Sequence, residues 1–163
     1  MRKFSIFLLL LVVSFTTVFA DQHAISIDGA FDDWSSVEVA YEDSVGDSTS
    51  TDFVRIWLAD DDEFLFIRIE LLGTFDASEN NSVRLLLDTD NDSGTGLAVA
   101  GIDAELEWRL GERFGLLRVA GDIVPLSQND ISFRGGPTVT ANTFEFAIGR
   151  DSVPGGLLSL IHI

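Results

Sequence analysis

Phe53-Val54-Arg55-Ile56-Trp57-Leu58-Ala59-Asp60, followed by Asp61-Asp62-Glu63 and then Phe64-Leu65-Phe66-Ile67-Arg68-Ile69-Glu70-Leu71, is the stretch that decides the fold. In its first run Val54, Ile56 and Leu58 share one face, and Phe53, Arg55 and Trp57 share the other. In its second run Leu65, Ile67, Ile69 and Leu71 oppose Phe64, Phe66, Arg68 and Glu70. Apolar residues at period two mark half-buried strands, and a cluster of aspartates between two such runs marks a turn. The stretch is therefore expected to form a β-hairpin.

The same alternation recurs on both sides of it. Val83, Leu85 and Leu87 form a further apolar face. Ile102, Ala104, Leu106, Trp108 and Leu110 form another, with Asp103, Glu105, Glu107 and Arg109 expected outward as an acidic ladder offset by Arg109 and Arg113. Gly111-Glu112 is expected to turn the chain into a strand over 113–119. Phe144, Phe146 and Ile148 mark a late strand, and Ile25 and Ile27 a first one. Gly135-Gly136-Pro137 reads as a turn. No segment after residue 20 sustains a helical period over three turns. Seven or more short strands separated by Gly, Asn, Asp and Ser predict an all-β, antiparallel β-sandwich.

Composition bounds the rest. The 163 residues carry 10 Lys+Arg against 27 Asp+Glu, a net charge of −17, and no cysteine. That acidity argues against binding nucleic acid through phosphates. The missing cysteines exclude a disulfide framework, a thiolate zinc site and a lipidated cysteine. Met1-Arg2-Lys3, an apolar run from Phe4 to Phe19 and the small residues of Val18-Phe19-Ala20 have the layout of a secretory signal peptide over 1–20. The run is short for a membrane span of about 20 residues. Export places the protein outside the cytoplasm, secreted, periplasmic or at the cell surface, with no membrane segment after cleavage. Loss of Arg2 and Lys3 would leave 8 basic residues against 27 acidic ones, a charge of −19. At the other end, residues 158–163 (Leu-Ser-Leu-Ile-His-Ile) fit neither a strand nor a helix face and resemble the translation of a sequencing adapter. They are read as a non-native tail, so the domain proper is expected at 21–157. His23 is then the one native histidine, which excludes histidine triads and multi-histidine metal sites.

Three features carry candidate chemistry. In Asp88-Thr89-Asp90-Asn91-Asp92-Ser93-Gly94, oxygen donors alternate before a glycine, a spacing that suits a hard cation. It resembles the first half of an EF-hand loop, but Val99 stands where the closing glutamate would be. Asp88, Asp90 and Asp92 therefore need a distant ligand, for which Asp103 is the candidate, and calcium is the expected ion. Asp43, Asp47 and Asp52 could form a second site, but they read more readily as a plain solvated loop. The face of Trp57, Arg55, Arg68 and Phe66 is the candidate ligand platform, because sugar rings stack on aromatics and their hydroxyls pair with arginine. The alternative is that both faces of this hairpin are buried, one in the core and one beneath a loop. Glu105 and Glu107 are spaced like a glycosidase pair, but accidental pairs are expected among so many carboxylates.

Ile25-Ser26-Ile27-Asp28-Gly29-Ala30-Phe31-Asp32-Asp33-Trp34 opens with a strand and a turn that lets Trp34 fold back, either to plug an open end of the sandwich or to stack on a sugar. This opening resembles the start of the family 9 carbohydrate-binding modules and their wider superfamily. The acidic turn with Phe64-Leu65-Phe66-Ile67-Arg68-Ile69 is similar to that family's second hairpin, and Phe144-Glu145-Phe146-Ala147-Ile148 before Arg150-Asp151 to its late strand. The resemblance implies a jelly-roll sandwich with structural calcium, lacking here its last strand or strands, and in some members glycan binding. It implies a noncatalytic module, or else a structural N-terminal domain of a larger secreted hydrolase whose catalytic part lies downstream.

Overall fold

In a computed structural model, which describes residues 23–46, 52–77, 79, 81, 83–90, 92, 94–99 and 102–153, the alternating runs become eleven strands with only antiparallel pairings. They are β1 (Val39–Glu42), β2 (Phe53–Asp60), β3 (Phe64–Phe75), β4 (Arg84–Leu87), β5 (Leu97–Val99), β6 (Ile102–Ala104), β7 (Leu106–Arg109), β8 (Phe114–Val119), β9 (Asp122–Leu126), β10 (Arg134–Gly136) and β11 (Ala141–Gly149). One sheet runs β1-β2-β3-β11-β10, a second runs β4-β7-β8-β9, and β5 and β6 form a small separate ladder. The expected signal segment over 1–20, the tail over 158–163 and Asp47 lie outside the described residues.

The hairpin forms as its alternation requires. Trp57 stands opposite Arg68 and Leu58 opposite Ile67. Asp61 closes the turn by accepting the Glu63 and Phe64 amides at 2.8 and 2.7 Å, and Arg150 clamps it through Asp60 Oδ2 at 2.8 Å. One slip in register, between Phe53 and Arg55, corrects the expected faces. It turns Phe53 inward, beside Ile56 and Leu58, and leaves Arg55 and Trp57 outward. A bulge has this effect because one extra residue reverses the side to which each later side chain points.

The inner faces of the two large sheets share one core. Ile67, Ile69, Phe144, Phe146 and Ile148 from the first sheet pack with Leu87, Leu106, Trp108 and Leu117 from the second. Rings stack through it, with Trp108 4.8 Å from Phe133 and Phe133 5.7 Å from Phe146. This is the predicted antiparallel sandwich. A cavity of about 250 Å³ remains beside β2 and β4, lined by hydrocarbon apart from Arg84.

A second core lies on the outer face of the five-stranded sheet. Trp34, Trp57, Ala59, Phe66 and Ala147 are buried there, with Ile25, Ile27, Phe31 and Val37 against them. Residues 25–37 cross this face as a strap containing a 3-10 turn, Asp32–Ser36. Ile25 and Ile27 were expected to open the first strand, but they belong to the strap and pair with no sheet. Trp34, expected at an open end of the sandwich, is buried instead in this outer core, 1% exposed. Its reason is polar as well as apolar: its indole Nε1 donates to Glu145 Oε2 at 2.9 Å. Gly135-Gly136, expected as a turn, extends β10 along the edge of β11 before Pro137.

Candidate functional site

The run from Ile102 to Leu110 does not form one strand. It breaks at Glu105, so that β6 pairs with β5 and β7 joins the four-stranded sheet. Glu105 still pairs with β8, its carbonyl accepting the Arg118 amide at 2.9 Å, so its side chain keeps the outer face that alternation predicts, but Thr89 and Thr95 close over it and leave it 4% exposed. Glu105 Oε2 accepts the Thr89 amide at 2.8 Å and the Thr89 hydroxyl at 3.3 Å. Gly96, with φ +74, lets the preceding loop close on this carboxylate, since a Cβ there would run into Glu105 Oε1 and the Ala104 backbone.

Asp88, Asp90 and Glu105 thereby bring one carboxylate oxygen each within 4.8 Å of one another. Two oxygens bound to a common calcium at about 2.3–2.6 Å can stand no further apart than about 5 Å, so the three fit around such an ion. The single hydroxyl hydrogen of Thr95 faces Asp90 Oδ1 and Oδ2 at 3.2 and 3.1 Å, the Asp92 carbonyl at 3.0 Å and Glu105 Oε1 at 2.9 Å. It can donate to one of these four acceptors at a time. Clustered carboxylate and carbonyl oxygens are the ligands that a hard cation takes.

Of the four ligands expected from sequence, the structure brings Asp88 and Asp90 together. Asp92 instead shapes the loop: its Oδ1 accepts the Gly94 amide at 2.9 Å, and its own amide donates to Asp90 Oδ1 at 2.9 Å. Asp103, the expected distant ligand, sits in β6 opposite Ala98 and outside the group. Glu105, two residues on, takes its place. The second acidic group serves turns: Asp43 Oδ1 accepts the Ser44 amide at 2.9 Å, and Asp52 Oδ2 accepts the Gly46 amide at 2.7 Å.

The candidate sugar platform is covered. Trp57 and Phe66 are 6% and 4% exposed beneath the strap. Arg68 is sandwiched, its guanidinium carbon 4.2 Å from the Trp57 ring centre and 4.7 Å from that of Phe31. Burial lowers its pKa, an effect that Glu70 counters. Arg55 remains partly exposed and pairs with Glu70 at 2.7 Å. Ring faces already stacked on the chain's own side chains offer no stacking surface to a sugar. The strap is held by Glu145, which sequence alternation places outward yet which is fully buried. Its Oε1 accepts the Asp28 and Gly29 amides at 2.8 and 2.6 Å. Gly29, at φ +83, makes that paired approach possible.

Glu107 is the third buried glutamate, 2% exposed. Its Oε1 accepts Arg84 Nη1 at 3.0 Å and Arg109 Nε at 2.9 Å, and its Oε2 accepts Arg118 Nη2 at 3.1 Å. Burial alone would raise its pKa, but hydrogen bonds from Arg109 and Arg118 outweigh it and hold the carboxyl below its ordinary value of 4.5. A group ionised more readily when folded adds stability above its unfolded pKa and loses it as the pH falls through the folded one. Urea midpoints measured downward from pH 6 are thus expected to fall as the solution passes below about pH 4.5, and Glu107→Gln is expected to flatten part of that fall. An equal slope in both proteins would show that Glu107 does not carry it.

Among the described residues, no helix is long and apolar enough to cross a membrane. Compared with protein-family models, curated proteins and solved structures, the chain matches none.

Proposed function

We propose that this chain is an exported, noncatalytic β-sandwich module whose loops are stiffened by a structural calcium ion. The observation that carries the calcium reading is the convergence of one carboxylate oxygen each from Asp88, Asp90 and Glu105 within 4.8 Å of one another, two of the three carboxylates facing the same Thr95 hydroxyl. Supporting a noncatalytic role, the two carboxylates spaced like a glycosidase pair are both engaged. Glu105 is tied to Thr89 and Thr95, and Glu107 to three arginines. A general acid needs a raised pKa, whereas that of Glu107 is lowered. In this reading the module belongs with the carbohydrate-binding-like sandwiches that its motifs resemble. Any glycan is bound on a face other than the one under the strap.

Calorimetric titration of metal-free protein with calcium tests the proposal. One site per chain is expected in wild type and none in Asp90→Asn. Equal binding by Asp90→Asn would move the site elsewhere, and no binding by wild type would remove it. The second reading, a structural domain that positions a downstream catalytic part, is favoured by the burial of Trp57 and Phe66. The uninterrupted gene tests it, since a stop codon within one strand's length of residue 157 would refute it.

A further inference from the structure

We propose that the outer face of the four-stranded sheet binds the carboxylate of an acidic sugar residue in a sparsely charged polysaccharide; this rests on the reading of the chain as a carbohydrate-binding module. The strap covers the outer face of the other sheet, but this one presents Arg84 and Arg109 directly opposite each other on β4 and β7, with Phe114 next in the same row on β8. Like charges in directly opposed positions repel. The row below holds Glu107, and Arg118 reaches it from β8. Three guanidiniums thus share one carboxylate, with Glu112 reaching only Arg109, at 3.3 Å.

Among the described residues, the donors outnumber their acceptors. Each guanidinium carries five N–H groups, and carboxylates suit its fork. Arg118 Nη1 is buried with no hydrogen-bond partner and lies two rows from this one, whereas the Arg84 side chain is 50% exposed and open to a ligand. A further carboxylate at this row would relieve the Arg84–Arg109 repulsion, and half-buried Phe114 offers a ring beside it. The chain's net charge of −17 repels a dense polyanion. At physiological salt that repulsion is screened beyond about 8 Å, so a single acidic residue on a neutral chain feels mainly the arginines.

Affinity electrophoresis of the full chain in gels containing glucuronate-substituted xylan, unsubstituted xylan or polyglutamate tests this. Substituted xylan is expected to retard the protein and the other two are not. Arg84→Gln, which leaves Glu107 two arginines, is expected to weaken retardation about tenfold. Arg134→Gln, exposed on β10 of the other sheet, is expected to leave it unchanged. Equal retardation by unsubstituted xylan, or indifference to Arg84→Gln, would overturn this inference and leave a glycan-binding module standing. Retardation by polyglutamate as strong as by substituted xylan would overturn the assignment to sugar. No retardation by either xylan would overturn both the inference and the carbohydrate reading.

Discussion

Trp34→Ala is expected to lower the melting temperature by about 10–20 °C, the largest effect of any single substitution on the outer face of the five-stranded sheet. Removing a buried tryptophan costs about 3–5 kcal/mol, and in a domain of this size each kcal/mol moves the midpoint by a few degrees. Two losses combine. The cavity strips apolar contact from Trp57, Phe66 and Ala147, and Glu145 Oε2 loses the indole donor that satisfies it. An unsatisfied buried carboxylate oxygen carries its full desolvation penalty. Trp34→Phe separates the two, since it keeps most of the area and removes only the donor. It is expected to fall between wild type and Trp34→Ala. Should Trp34→Ala melt within two or three degrees of wild type, the strap is not seated on this sheet.

Glu107→Ala is the second large effect, at about 3 kcal/mol or more, because it leaves three arginines facing one another. The deficit has a signature that a packing loss lacks. Added salt screens the repulsion among Arg84, Arg109 and Arg118, so the gap between variant and wild type in urea midpoints is expected to narrow as ionic strength rises. A gap below 1 kcal/mol, or one indifferent to salt, would show that the arginines relax outward and that Glu107 holds nothing in place.

The fold was legible wherever period-two alternation ran unbroken. Arg55 to Leu71 and the late strand around Phe144–Ile148 are in the structure as their patterns require. What escaped the pattern was set by breaks in it. The slip beside Phe53 and the interruption at Glu105 leave the apolar periodicity intact in the sequence, because they act on backbone pairing and not on residue type. Asp103 and Glu105 share the outward face of their run, so alternation alone could not choose between them as the cation ligand. A faint signal lay in the threonines and glycine around the loop, Thr89, Thr95 and Gly96, which suit a closed polar turn better than an open one. The buried glutamates shared a second difficulty. Glu107 and Glu145 sit at positions that alternation assigns to solvent, and they are inside only because arginines in one case and the strap in the other cover them. Coverage of a sheet's second face depends on where a distant segment crosses it, which no local window reveals. The burial of Trp57 and Phe66 is the same effect seen from the aromatic side.

The central claim, that Asp88, Asp90 and Glu105 hold calcium and so stabilise the module, is tested most directly by thermal unfolding in excess chelator and in millimolar calcium, for wild type and Glu105→Gln. An ion bound only by the folded state at 100 times its dissociation constant adds about 2.7 kcal/mol. Wild type is therefore expected to melt several degrees higher in calcium, and Glu105→Gln at nearly one temperature in both. A wild-type melting curve identical in chelator and calcium, or a calcium shift of full size in Glu105→Gln, would contradict it.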